Sequence, residues 1–353
     1  MLRKKLLSLA LPLSFLTVAC HNSTPAAEET KQDTTAQEKQ PMDTLRLALD
    51  WTPNVLHSGI FLAQARGWYQ GENLYVDWFT PEVDNYTKKP LKRVLDGEAD
   101  LSIGPSEHLF FYALDSSGHT KATAVASLLQ KDMSAFVSRK GSGIINPGYL
   151  EGKTYLGYHT PMEEEVLSGM IEHYGGKGEF EIRHPARLDV WDAFMQGEGD
   201  VAWVFVHWES MLAQQEGVEL NEFIPNAHGV PYGYSSVVMA PVDMDAKQKR
   251  MLKKFLKASR KGYAAITENP AEVVPELMSF IDHPNFENAD FITAAQQRIA
   301  PAYFGNDGRW GGMEASRWEA FWQWVKAHGL VKTKEEVKVE QFFTDEFIEE
   351  LAQ

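Results

Sequence analysis

The sequence predicts an α/β protein with two lobes, on three observations. Strand-like and helix-like stretches alternate along residues 44 to 353, the pattern of mainly parallel sheets flanked by helices. A Gly-Glu-x-Asp segment occurs at Gly97–Asp100 and again at Gly197–Asp200, each time after an amphipathic stretch and before an apolar run. Two further strand-like runs, Ser134–Lys140 and Ser235–Ala240, fit a chain that crosses from one lobe to the other and later returns. The first lobe is therefore expected to be discontinuous, 44–135 with 236–353, and the second to span 136–235.

A segment of a different kind precedes the lobes. Arg3, Lys4 and Lys5 lead into an apolar run from Leu6 to Leu16, and Thr17-Val18-Ala19 stands before Cys20. This is the layout of a signal peptide, and the run is too short to span a membrane comfortably. The site resembles a bacterial lipobox with threonine in place of the usual leucine, so residues 1–19 are expected to be removed and Cys20 lipidated. A cleaved signal with an incidental cysteine is the alternative. Cys20 is the sole cysteine, which excludes an intrachain disulfide and a cysteine-ligated metal site. From His21 to Met42 the chain is polar and has no aromatic residue, so residues 20–43 are expected to form a disordered tether.

The remainder is globular in composition. The chain is 44% hydrophobic and 12% aromatic, enough for a sizeable core in each lobe. The formal charge is −15, and loss of residues 1–19 makes it three units more negative, which argues against nucleic acid as a partner.

In chain order, Leu45, Leu47 and Leu49 alternate with Arg46, Ala48 and Asp50 and predict a half-buried strand. Pro53 ends it by barring Thr52 from helical geometry, and Ile60–Ala65 predicts a helix closed at Gly67. Trp51, Asn54 and His57 then fall at a strand's carboxyl end, where open α/β sheets bind ligands. Leu91–Leu95, Gly97 and Leu101–Ile103 predict a helix, its stop and a buried strand. Val190–Met195, Gly197 and Val201–Phe205 repeat that arrangement. Thr154–Tyr158 predicts a strand, and Thr160-Pro161-Met162-Glu163 a capping box with proline in the first helical position. Beyond Pro241, Leu252, Phe255, Leu256, Tyr263 and Ile266 share a helical face, and Asn269-Pro270 reads as the start of the next helix. Trp318, Phe321, Trp322 and Val325 fall at helical spacing as core, with Gly329 as the stop. Phe342–Leu351 predicts a last amphipathic helix.

No enzyme signature is present: there is no His-Glu-x-x-His, no phosphate-cradling glycine loop and no nucleophile elbow. Binding chemistry is better represented. The helix start at Thr160 either is a plain cap or presents its N–H groups to the space between lobes. Glu209 follows Val201–Phe205 and the pair His207-Trp208. A carboxylate there can accept two hydrogen bonds from a planar N–C–N edge while a tryptophan stacks on the ring; a solvated helical glutamate is the alternative. Glu107 and His108 occupy the corresponding place after Leu101–Ile103.

Leu49-Asp50-Trp51-Thr52-Pro53-Asn54 with His57 and Gly59, then Ala63-Gln64 and Gly67-Trp68-Tyr69, resembles the opening motif of the pyrimidine-precursor proteins of thiamine metabolism. The resemblance continues through Gly97–Ile103, Val125–Leu129, Lys140–Ile144 and Trp310-Gly311, and covers nearly all of residues 44 to 330. That family includes solute-binding components of ABC transporters and the fungal-type thiamine pyrimidine synthase. The resemblance implies a type-II periplasmic binding protein, a Venus flytrap whose two α/β lobes close on a small planar ligand. It implies that Trp51 stacks on the ligand and that Glu209 reads an aminopyrimidine edge. Tyr158, Pro161, Met162 and Glu163 would come from the second lobe, with Trp208 and Tyr234 nearby and His108, Gln130 and Trp310 as further candidates.

It also implies partners and a place: an ABC permease and ATPase, a membrane reached through a lipid on Cys20, the cell envelope, and a monomer. The synthase is the main alternative. In it a histidine supplies ring atoms, a lysine holds pyridoxal phosphate and a cysteine-rich stretch binds iron. Here His108 falls at the histidine, but Gly104 stands at the lysine position and Gly233-Tyr234-Ser235-Ser236 at the cysteines. No cofactor and no catalytic residue are therefore expected. Binding of another small solute such as a sulfonate or nitrate, and sensing in place of transport, stay open.

Overall fold

The computed structural model describes residues 41–186 and 189–351. The expected leader, Cys20 and nearly all of the tether lie outside those residues. Asp43, placed in the tether from sequence, is the first residue of a strand.

Among the described residues ten strands carry the fold: β1 Asp43–Ala48, β2 Leu74–Phe79, β3 Leu101–Gly104, β4 Ala122–Ser127, β5 Ser134–Arg139, β6 Thr154–Leu156, β7 Glu181–Arg183, β8 Val201–Phe205, β9 Leu220–Phe223 and β10 Val237–Pro241. The α-helices are α1 Ser58–Ala65, α2 Trp68–Gly71, α3 Pro90–Leu95, α4 Pro161–His173, α5 Val190–Met195, α6 Glu209–Gln215, α7 Ala246–Glu268, α8 Val274–Phe280, α9 Ala289–Ile299, α10 Ala315–Ala327 and α11 Glu346–Leu351.

The strands form two five-stranded sheets, ordered β2-β1-β3-β10-β4 and β7-β6-β8-β5-β9. In each, the fourth strand, β10 or β5, runs against its neighbours. The other pairings are parallel. Each odd strand is the first to enter its sheet after the chain changes lobes. The changes themselves fall within 128–133 and 224–236, so the two runs expected to be crossings are strands just beyond them.

The two sheets share one construction, and the repeated Gly-Glu-x-Asp segment is part of it. Asp100 N–H donates to Arg46 O at 2.9 Å, and Arg46 N–H donates to Asp100 Oδ2 at 2.8 Å. Asp200 does the same with Thr154, at 2.8 and 3.0 Å. Each aspartate thus clamps the start of β3 or β8 to the neighbouring parallel strand, β1 or β6. Gly97 and Gly197, at φ 73° and 80°, make the left-handed turn out of α3 and α5 that this register needs.

Other details depart from the sequence pattern. β1 is less one-sided than its alternation predicts, because helices cover both faces of the sheet and Ala48 is buried beside Leu47. Asn269 caps the end of α7, its N–H donating to Ala265 O, and α8 starts only at Val274. The final helix is short because Phe343 first pairs with Ala124 at the sheet edge. The α10 face of Trp318, Phe321, Trp322 and Val325 is buried as expected.

One side chain ties both lobe crossings together. Arg317 donates to Gln130 O at 3.2 Å and to Gly233 O at 2.6 Å, and its guanidinium lies 4.1 Å from the centre of the Tyr234 ring. No helix among the described residues is long and apolar enough to cross a membrane.

Candidate binding cleft

Between the sheets lies a cavity with about 220 Å³ open to water-sized molecules. Its wall is built from strand ends. Asp50, Trp51, Asn54 and Leu56 follow β1; Pro105, Glu107 and His108 follow β3. Tyr158, Thr160 and Glu163 follow β6; Phe205 ends β8, and His207, Trp208 and Glu209 come next. The antiparallel strands contribute their amino ends, Ser134 of β5 and Ser235 just before β10. Parallel strands leave unpaired backbone groups and loop side chains at their carboxyl ends, so facing those ends of two sheets makes a polar-lipped cleft.

The first wall is held rigidly from behind. Asn54 Oδ1 accepts from Leu56 N–H at 2.9 Å, and its amide donates to Thr52 O at 3.0 Å, which sets the turn Val55–His57. His57 is fully buried; its Nδ1 accepts from Asn54 N–H, so Nε2 carries the proton and donates to Asp50 Oδ1 at 2.7 Å. Two tyrosine hydroxyls hold the turn's carbonyls: Tyr303 donates to Val55 O at 2.6 Å and Tyr263 to Leu56 O at 2.8 Å. These contacts require α1 and α7 to touch. A Cβ on Gly262 would run into the Gly59 carbonyl, and one on Gly59 into the Tyr263 ring, so glycine at both positions permits the approach. Trp51, half-buried, then reaches the cavity with its ring 4.8 Å from that of Tyr86.

The second wall is aromatic and acidic. Glu209 opens α6 and accepts from Phe205 N–H at 2.9 Å through Oε2, which fixes the carboxyl over the end of β8. Burial pushes its pKa up to about 7. Trp208 beside it packs edge-on against Phe291 at 4.7 Å, and Trp203 stacks on Phe136 at 4.7 Å. The indole N–H of Trp203 is buried and has no hydrogen-bond partner among the described residues. His207 is buried too, and desolvation lowers its pKa to about 3, so the ring is neutral.

Across the cleft Glu107, 7% exposed, has its pKa raised by burial to about 7. Its Oε1 accepts from the Tyr232 hydroxyl at 2.9 Å, whereas Oε2 has no partner among the described residues. No group of three or more His, Cys, Asp or Glu side chains among the described residues is placed to hold a metal ion.

Residues 54–273, more than half of the chain, match the family described as NMT1/THI5 like. The chain belongs to the NMT1/THI5-like family. Among relatives of this family member, a formylaminopyrimidine-binding protein of Halalkalibacterium halodurans is 26% identical over 327 residues, covering 92% of this chain and 93% of that protein. A 4-amino-5-hydroxymethyl-2-methylpyrimidine phosphate synthase of Saccharomyces cerevisiae, THI13, is 25% identical over 285 residues, 75% of this chain and 78% of the enzyme. The solved aliphatic sulphonate-binding protein SsuA of Escherichia coli superimposes with a TM-score of 0.60 at 14% identity, covering 85% and 96% of the two chains. That structural likeness establishes the two-lobe type-II periplasmic binding fold.

Within this NMT1/THI5-like fold, Trp51, Asn54, His108, Tyr158, Glu163, Trp208 and Glu209 all reach the cavity. Other residues singled out from sequence stand behind it or elsewhere. His57 braces Asp50, and Trp310 stacks on Tyr263 at 5.2 Å, one layer behind the turn. Met162 is buried in the hydrophobic core. Gln130 and Tyr234 belong to the lobe connections: the Gln130 amide donates to Gly312 O, and the Tyr234 hydroxyl accepts from Glu314 N–H. Pro161 is the first residue of α4. Glu163 lines the cavity with its oxygens already engaged, accepting from the Tyr155 hydroxyl and from the N–H groups of Tyr158 and Thr160.

Asp50, Lys89, Glu107, Trp203, His207 and Tyr232 line the cavity without having been chosen from sequence. Glu107 and His207 had a signal, their position after an apolar strand. Tyr232 and Lys89 had none, because their place depends on how the two lobes meet.

Proposed function

We propose that this protein is the solute-binding component of an ABC importer and captures a planar aminopyrimidine between its lobes. The observation that carries the reading is Glu209, a carboxyl fixed by Phe205 N–H at the cavity wall, in a cleft that Trp51 and Trp208 also line. A carboxylate accepts both hydrogen bonds of an N–C–N edge, and tryptophans supply flat apolar faces for the ring. The relative named for formylaminopyrimidine binding, similar along nearly its whole length, supports the same ligand class. In this reading the protein sits in the cell envelope, held to a membrane by a lipid on Cys20, and works as a monomer with a permease and an ATPase. In this reading the two lobes are those expected from sequence, 44–135 with 236–353 and 136–235, except that β5 already belongs to the second sheet from Ser134.

The synthase-like members of the family are the competing reading, and local packing disfavours it. Gly104 offers no amine where that enzyme's lysine is expected, and a Cβ there would stand 2.9 Å from His108 Nδ1 and 3.0 Å from the Met239 methyl group, so a lysine would have to displace both side chains. The residues present do not fit pyridoxal phosphate.

The test is native mass spectrometry of the freshly purified protein, followed by thermal melts with a panel of aminopyrimidines, sulfonates and nitrate. An aminopyrimidine at a hundred times its dissociation constant should stabilise the fold by about 2.7 kcal/mol. A shift with a sulfonate or nitrate and none with any aminopyrimidine refutes the ligand class.

A further inference from the structure

The buried acid on the first wall has no structural duty that accounts for it. Glu107 lies between the end of β3 and the five residues Leu109–Ala113, and no cation is bonded to it in any ion pair among the described residues. Tyr232 holds one oxygen in place; the other is buried, has no hydrogen-bond partner among the described residues and belongs to a group lining the cavity. Leaving a carboxyl oxygen desolvated without a donor is costly, so a native structure that does so is built for a donor arriving from elsewhere. Glu107 lines the cavity, so the cavity is the side from which a donor would come. Glu209 on the opposite wall also lines the cavity with one oxygen held, there by a backbone N–H.

We propose that Glu107 is a second ligand-reading carboxyl, taking an N–H or O–H donor carried by a substituent of the bound ring. This deepens the aminopyrimidine reading and rests on it. The two carboxyls come from different lobes, so a ligand with donors on both its amidine edge and its substituent is gripped by both walls. A ring with an apolar substituent is gripped by one. The cleft therefore selects aminopyrimidines whose substituent carries an N–H or O–H over those bearing a methyl group. Tyr232 is a positioning residue here: its hydroxyl fixes which oxygen of Glu107 turns to the ligand.

Calorimetric titration with a methyl-substituted aminopyrimidine and its aminomethyl and hydroxymethyl counterparts tests this on the full chain. The wild-type protein should bind the donor-bearing compounds about tenfold or more tightly than the methyl compound. In Glu107→Leu that preference should disappear while the methyl compound keeps its affinity. Glu107→Gln, which turns an amide toward the same donor, should lose the preference as well and serves if the leucine variant does not fold. A preference that persists in the variants overturns the role of Glu107 and leaves aminopyrimidine binding standing. Failure of every aminopyrimidine to bind the wild-type protein overturns both.

Discussion

Replacing Glu107 by glutamine should change how stability depends on pH, in a direction fixed by burial. Desolvation raises the Glu107 pKa from its ordinary 4.5 to about 7. Between those values the folded protein keeps a proton that the unfolded chain has released. The folded state then binds more protons, so stability falls as pH rises through the window. At about 1.36 kcal/mol per pKa unit, the cost of ionising this buried group approaches ~3 kcal/mol above pH 7. Glutamine can still accept from Tyr232 and never ionises. The free-energy advantage of Glu107→Gln over wild type should therefore grow by ~3 kcal/mol between about pH 5 and about pH 8. His207 titrates with the opposite sign, since its lowered pKa makes acidification destabilising, but it is present in both proteins and cancels in the difference. Urea unfolding of the two proteins across that range is the assay. A stability difference that does not vary with pH would refute the claim that Glu107 is a desolvated acid.

Three further outcomes follow from the packing. Gly262→Ala forces a methyl group into the Gly59 carbonyl and should lower unfolding free energy by ~1–3 kcal/mol or more, read from urea melts. Arg317→Ala removes two hydrogen bonds from a charged donor; backbone amides at 128–133 and 232–236 should exchange faster with deuterium, while those of β1 and β3 keep their protection. Trp51→Ala should weaken aminopyrimidine binding by about tenfold through loss of ~0.5–1.5 kcal/mol of stacking plus buried area, measured by calorimetry.

Much of the fold is legible in the sequence because its determinants are local. The alternation in Leu45–Asp50, the capping box at Thr160–Glu163 and the Trp318–Val325 face each express one element's period or cap. The repeated Gly-Glu-x-Asp segment is legible for a stronger reason: each aspartate makes the same paired backbone contact in its own sheet. The antiparallel setting of β5 and β10 is not legible, since strand direction follows from where the chain re-enters a sheet. The site divides in the same way. Trp51 and Glu209 announce themselves by residue type at a strand's end. Trp310, Tyr234 and Gln130 lie in conspicuous segments yet support the cleft from behind, because side-chain depth is set by packing partners such as Tyr263 and Arg317. Glu107 shows the reverse case: sequence places it only after an apolar strand, and its burial comes from packing with Tyr232, more than a hundred residues away.

The most direct measurement is calorimetric titration of wild type and Glu209→Gln with a hydroxymethyl-substituted aminopyrimidine at neutral pH. Glutamine can keep the bond from Phe205 N–H but turns an amide N–H₂ toward the ligand's own donors. The account predicts a dissociation constant raised roughly ten- to a hundredfold, from a charged hydrogen bond worth ~1.5–3 kcal/mol. Equal affinity in the two proteins would contradict it.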